Sequence, residues 1–243
     1  MFSQNHRFIA YSRRHASPNQ NQGSLLDSTV ENNSLDLIDL ITELKLEKVI
    51  LLGHSYGGFI AIYTAWKHPE LFSRLVLVEP AIPSLLVKSE NNPLQLLSFL
   101  LRNPKAASSA RRFQSGNLKL SLKAYRDGRF DDAVKFFLEG IYEKSMENVP
   151  LQVKEIAKDN GKTVGELETE FPIFTKEDAR SILLPTLLIK GQYSPDWLRS
   201  IIDTLSKTLP DNSLNEVSNS GHLPHVENPE EFNSLVLKFI QKQ

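Results

Sequence analysis

The stretch KVILLGHSYGGFIAIYTAW, residues 48–66, leaves this chain few folds to choose from. An apolar β-like run stops at Gly53, and a helical pattern begins within three residues. Between them Gly53-His54-Ser55-Tyr56-Gly57 fits the spacing G-x-S-x-G. So sharp a turn from strand to helix needs small residues on both sides of the serine, and it lifts the hydroxyl clear of the sheet's C-terminal edge. Both Gly53 and Gly57 are therefore expected to be sterically required. The helix N-terminus behind Ser55 favours developing negative charge. In this context Ser55 reads as a nucleophile rather than as a solvent-facing serine in a glycine-rich turn.

The surrounding pattern is consistent with that turn. RFIAYS (7–12), KVILLG (48–53), RLVLVE (74–79), PTLLIKG (185–191) and the weaker SLNEVS (213–218) have strand character. Helical patterns alternate with them, which predicts an α/β fold with a mostly parallel sheet flanked by helices. One helix is expected from Ser28, where Glu31 stands at capping-box distance, with Leu37, Ile38, Ile41 and Leu44 on one face. A helix over about residues 56–67 follows the nucleophile, and Leu198, Ile201, Ile202 and Leu205 mark another. The last helix opens with Asn228 as cap, Pro229 at its first position and Glu231 completing the cap. Between about Ser84 and Ser181 only helical segments occur, which reads as an insertion into the sheet rather than its continuation.

Taken in order, LLGHSYGG, RLVLVEP, LPTLLIKG and GHLPHVENPEEF resemble the α/β-hydrolase superfamily, and YSRR after the first run is similar to esterase-like members. The resemblance implies a hydrolase core over residues 1–83 and 182–243, with a helical cap over residues 84–181. It implies a serine hydrolase acting on a carboxylic ester or related acyl substrate. His222, preceded by glycine and followed by Glu-Asn-Pro, takes the place of the catalytic histidine. His225 competes with it but lacks the preceding glycine. His54 is expected to point away from the hydroxyl as a structural or pocket-wall residue, and His6, His15 and His68 to lie on the surface.

The acid departs from the usual pattern. Most members carry G-x-x-D after the strand that here reads PTLLIKG, but the matching residues are Gly191-Gln192-Tyr193-Ser194. A serine cannot hold an imidazolium as a carboxylate does. Glu79, at the end of an apolar strand and directly before Pro80, is the preferred substitute. Asp196 is the alternative, and a site with neither stays open. One oxyanion donor would be the Tyr56 N–H. The second belongs to a loop marked by His-Gly after an earlier strand, and no such stretch precedes RFIAYS. On this resemblance the chain reads as N-terminally truncated: a truncated product, a fragment whose start lies upstream, or a degenerate homologue.

That gap leaves two other functions open: a non-catalytic or impaired hydrolase-fold binding protein, and a cofactor-independent peroxidase or C–C hydrolase using the same serine and histidine. It also offers an open sheet edge for self-association. Phe99, Phe113, Phe136, Phe137 and Tyr142 could line an apolar acyl pocket, although aromatics at helical spacing more often pack in a core.

Composition narrows the partners. Among 243 residues, 28 basic and 29 acidic side chains leave a net charge of −1, which gives no reason to expect nucleic acid or an anionic membrane. With no cysteine, disulfides and thiolate chemistry are excluded. No apolar run suits a signal peptide or a membrane span, so a cytoplasmic protein is expected. The chemistry needs no metal or cofactor, and no His/Asp cluster has ligand spacing.

Overall fold

A computed structural model describes residues 6–19, 24–88 and 92–241. Among the described residues four strands form one parallel sheet in the order β1 (Val49–His54), β2 (Phe72–Val78), β3 (Thr186–Gly191) and β4 (Asn212–Val217). β2 and β3 are buried on both faces, as expected for apolar strands inside a parallel sheet. Alternation along them separates two cores. Leu75, Leu77 and Leu188 face a large cluster with α1 (Val30–Glu43), α2 (Ser55–Lys67) and α9 (Asp196–Ser206). Val76, Val78, Leu187 and Ile189 face Phe232, Val236 and Phe239 of α11 (Pro229–Ile240).

Helix boundaries follow their capping residues. Asn228 accepts from the Glu231 amide at the start of α11, as its spacing predicts. At α1 the cap is one residue later than expected. Thr29 accepts from Asn32 N at 3.1 Å, while Ser28 is fully buried and ends a short 3₁₀ turn, Leu25–Asp27. Val30 is then the first helical residue and is itself buried.

RFIAYS forms no strand. Residues 7–12 join no ladder, and Phe8, Ile9 and Tyr11 are 62%, 38% and 42% exposed. Strand composition alone does not make a strand, because the extended backbone is stabilised by the ladder bonds of a neighbouring strand. The residues after it are held by ion pairs instead: Arg14 forks onto Asp36 of α1, and Arg13 reaches Glu166.

Between β2 and β3 the described chain is helical. It comprises α3 (Pro93–Arg102), α4 (Pro104–Arg112), α5 (Lys119–Arg126), α6 (Phe130–Tyr142), α7 (Leu151–Lys158) and the short α8 (Lys176–Arg180). A π-helical stretch, Phe113–Leu118, joins α4 to α5, and a 3₁₀ stretch, Gly161–Glu168, follows α7. α6 buries Val134, Leu138 and Ile141 in the main core, so these helices pack on the sheet domain rather than standing apart. Among the described residues no helix is long and apolar enough to cross a membrane.

Candidate active site

Ser55 is the first residue of α2 and follows β1 directly. Its φ of +52° lies in the left-handed region, which a residue with a Cβ adopts only under compulsion from its surroundings. The compulsion comes from packing. A Cβ on Gly53 would lie 2.3 Å from the Gly57 carbonyl oxygen and 2.7 Å from Ala61 Cβ. The second close approach is at Gly58, whose Cβ would meet Pro80 Cα at 2.9 Å. Gly57, expected from the motif to be equally constrained, has open space at its Cβ position. The motif's second glycine is therefore not a steric necessity here; helix α2 meets the loop after β2 one residue further on.

β2 ends just before Glu79, which also has a left-handed φ, +45°. This kink turns a carboxylate that is 0% exposed toward the C-terminal edge of the sheet. Glu79 Oε1 accepts the Gly191 amide at 2.8 Å, and Oε2 lies 2.6 Å from His222 Nδ1. An unpaired buried carboxylate would be costly, and both oxygens are here satisfied. The structure thus brings Glu79 and His222 together across 143 positions of sequence. Asp196 is exposed at the first position of α9, away from this pair. Ser194, at the usual acid position, is buried with an unpaired hydroxyl.

His222 is held on several sides. The His54 ring lies 4.6 Å from its ring, and His54 Nε2 is 2.8 Å from the His222 carbonyl oxygen. Burial, followed by the neighbouring His222 and His225, depresses the His54 pKa well below the ordinary value. His54 is accordingly neutral, with Nε2–H donating to that carbonyl. His225 packs edge-on against His54 and at a tilt against Phe232, and burial lowers its pKa to about 4. The carboxylate contacts His222, not His225. The tight approach of Gly191 to Gly221, where a Cβ on Gly191 would lie 2.0 Å from the Gly221 carbonyl, seats the histidine loop against β3.

Ser55 opens onto a pocket of roughly 360 Å³. Tyr56 and His54 line it beside the serine, Phe137 and Leu138 of α6 form an apolar wall, and Arg13 and Glu166 form a polar end. The Ser55 hydroxyl makes no hydrogen bond to the described residues. The Tyr56 phenol donates to Ser28 O at 2.7 Å, and burial pushes its pKa up to about 12, so it is a fixed donor.

Arg13 and Glu166, neither foreseen from sequence, form a 2.8 Å ion pair, with the Arg13 guanidinium 4.9 Å from the Tyr56 ring centroid. Burial raises the Glu166 pKa, and Arg13 opposes that shift. Nothing local to either residue signals the pair, because 153 positions separate them in the chain.

Of the five aromatics considered for an acyl pocket, only Phe137 lines it. Phe113 stacks on Trp197, Phe136 sits in a satellite core, and Tyr142 bonds Glu227. Among the described residues no group of three or more His, Asp or Glu side chains could hold a metal ion.

The alpha/beta hydrolase family model matches residues 2–235. Among curated relatives, the 2-hydroxy-6-oxononadienedioate/2-hydroxy-6-oxononatrienedioate hydrolase 2 of Pseudomonas putida is 27% identical over 211 residues, covering 86% of this chain and 68% of that protein. The sn-1-specific diacylglycerol lipase ABHD11 of Danio rerio is 25% identical over 218 residues, covering 88% and 63%. The chain thus spans about two thirds of the length of each. The solved structure of MenH from S. aureus superposes with a TM-score of 0.65 at 18% identity, over 88% of this chain and 75% of that one. The parallel sheet, the left-handed serine between β1 and α2, and a match along nearly the whole sequence agree: this chain belongs to the α/β-hydrolase family.

Proposed function

We propose that the protein is a serine hydrolase that cleaves a carboxylic ester or related acyl substrate through Ser55, His222 and Glu79. The observation that carries this is the buried Glu79–His222 pair, 2.6 Å apart, at the sheet edge where Ser55 opens the helix. Glu79 holds the imidazole with Nδ1–H toward its carboxylate, which frees Nε2 as base. When substrate fills the pocket, Ser55 Oγ attacks the acyl carbonyl and its proton passes to His222 Nε2. Negative charge on the tetrahedral oxygen falls at the N-terminus of α2, with the Tyr56 N–H as donor. His222 returns the proton to the leaving alcohol, and a water activated by the same histidine releases the acid.

The helices between β2 and β3 act as a cap and set substrate size through Phe137 and Leu138. The diacylglycerol lipase among the relatives supports ester cleavage. The Pseudomonas relative keeps C–C hydrolysis as a second reading, since the same serine and histidine serve both.

A fluorophosphonate probe should label Ser55 of the folded protein, and p-nitrophenyl esters of graded chain length should report turnover. Glu79→Gln is expected to lose activity by at least about 10²-fold, as a buried orienting acid does, while Asp196→Asn keeps it. Full activity in Glu79→Gln with loss in Asp196→Asn would reverse the assignment. Absence of labelling would turn the reading to a binding protein.

A further inference from the structure

The loop that carries His222 is gripped by a carboxylate with no part in the chemistry above. Glu227 ends the short helix α10 (Pro224–Glu227) and folds back on the residues before it. Its Oε2 accepts the Gly221 amide at 3.0 Å, and its Oε1 accepts the Leu223 amide at 3.1 Å. These are the two amides flanking His222. Oε1 also accepts the Tyr142 hydroxyl at 2.9 Å, and Tyr142 is the last residue of α6.

The Tyr142 ring lies against Gly221 as well: a Cβ there would come within 3.1 Å of Tyr142 Cε1. Burial, then the Glu227 charge, pushes the Tyr142 phenol far above its ordinary pKa, so it stays a donor. α6 meanwhile presents Val134, Phe137 and Leu138 to the pocket. One helix therefore forms the pocket wall and anchors the loop of the base.

We propose that Glu227 is the positioning residue for His222: its carboxylate clamps the backbone on both sides of the base, and Tyr142 fastens that clamp to α6. Glu79 fixes the tilt of the imidazole, His54 packs on its ring and bonds the His222 carbonyl, and Gly191 seats Gly221 against β3, yet none of these satisfies the two amides that flank the base. Without Glu227, two part-buried amides lose their acceptor, and the loop regains partners only by shifting. A displacement of about 1 Å at a catalytic group can cost about 10²-fold in rate while leaving substrate binding intact.

This inference rests on the Ser55–His222–Glu79 reading, so its test needs one readout of rate and one of geometry. Glu227→Gln preserves size but turns an amide NH₂ toward one of the two backbone donors. It should lower kcat, counted per fluorophosphonate-titrated site, about 10–100-fold with KM changed less than about threefold. Tyr142→Phe keeps the ring and removes one bond, and should lower kcat about 3–10-fold in the same manner. The exposed Glu230→Gln, which changes charge equally, should leave both constants alone.

The second readout is the far-downfield proton resonance of His222 Nδ1–H, which reports the short bond to Glu79. It should be present in the wild type and broadened or lost in Glu227→Gln. Unchanged kcat per titrated site in Glu227→Gln would overturn the proposal, even with a lower melting temperature, because the clamp would then be only structural. If Glu227→Gln does not fold, unchanged kcat in Tyr142→Phe overturns it equally. If the wild type is inert to the probe, the hydrolase reading falls, and the resonance in Tyr142→Phe still decides: loss supports the clamp and persistence refutes it.

Discussion

Substitution of the two motif glycines should separate steric necessity from resemblance. At Gly53 an alanine Cβ would stand 2.3 Å from a backbone oxygen and 2.7 Å from Ala61 Cβ, closer than real Cβ atoms approach. Neither obstacle is the free end of a flexible side chain, so β1 and α2 would have to part by about 1 Å. Overpacking costs roughly 1–3 kcal/mol, and backbone opposition places Gly53→Ala at about 3 kcal/mol or beyond. For a domain of this size that is a fall of about 6–12 °C in melting temperature. Gly57→Ala meets nothing within 4 Å and lies inside α2. It should stabilise by about 0.5–1 kcal/mol, because alanine loses less backbone entropy than glycine on entering a helix. Urea unfolding followed by far-UV circular dichroism measures both. Comparable destabilisation by the two variants, or a neutral Gly53→Ala, would refute the reasoning.

Two further outcomes follow from the site. Ser55 keeps a Cβ at φ +52°, so Ser55→Gly should be more stable than Ser55→Ala by about 1 kcal/mol, with both variants inactive; equal unfolding midpoints would show that the turn is unstrained. His54 and His225 have folded pKa values below their unfolded ones, so the unfolded chain takes up protons first as pH falls. Stability should therefore be level above about pH 6.5 and decline below it, by at most about 1.4 kcal/mol per pH unit for each histidine. For His225 the decline ends near pH 4. Urea midpoints across pH 4–8 test this, with His225→Gln reducing the slope; a flat profile between pH 7 and 5 would contradict it.

Much of this arrangement was legible in sequence because it is locally encoded. The turn at Ser55 is a strand pattern abutting a helix pattern. Glu79 is an acid ending an apolar strand before a proline, and Asn228-Pro229 announces the last helix. What escaped local reading depended on packing. Thr29 displaced Ser28 as cap because Ser28 is buried. Steric need moved from Gly57 to Gly58 because Pro80, not α2 itself, closes on the turn. RFIAYS has strand composition, yet composition supplies no partner for a ladder.

The sequence by itself determined the order of elements and the chemical types available at their ends, since periods of two and 3.6 residues are properties of the backbone. Only the tertiary structure decided which of them meet. Sheet order places the ends of β2 and β3 beside the loop after β4, and so gives His222 to Glu79 rather than to Asp196, whose helix leads its side chain into solvent. The same packing joins Arg13 to Glu166 and Tyr142 to Glu227, contacts that depend on where helices settle against a sheet and leave no periodic trace in the chain.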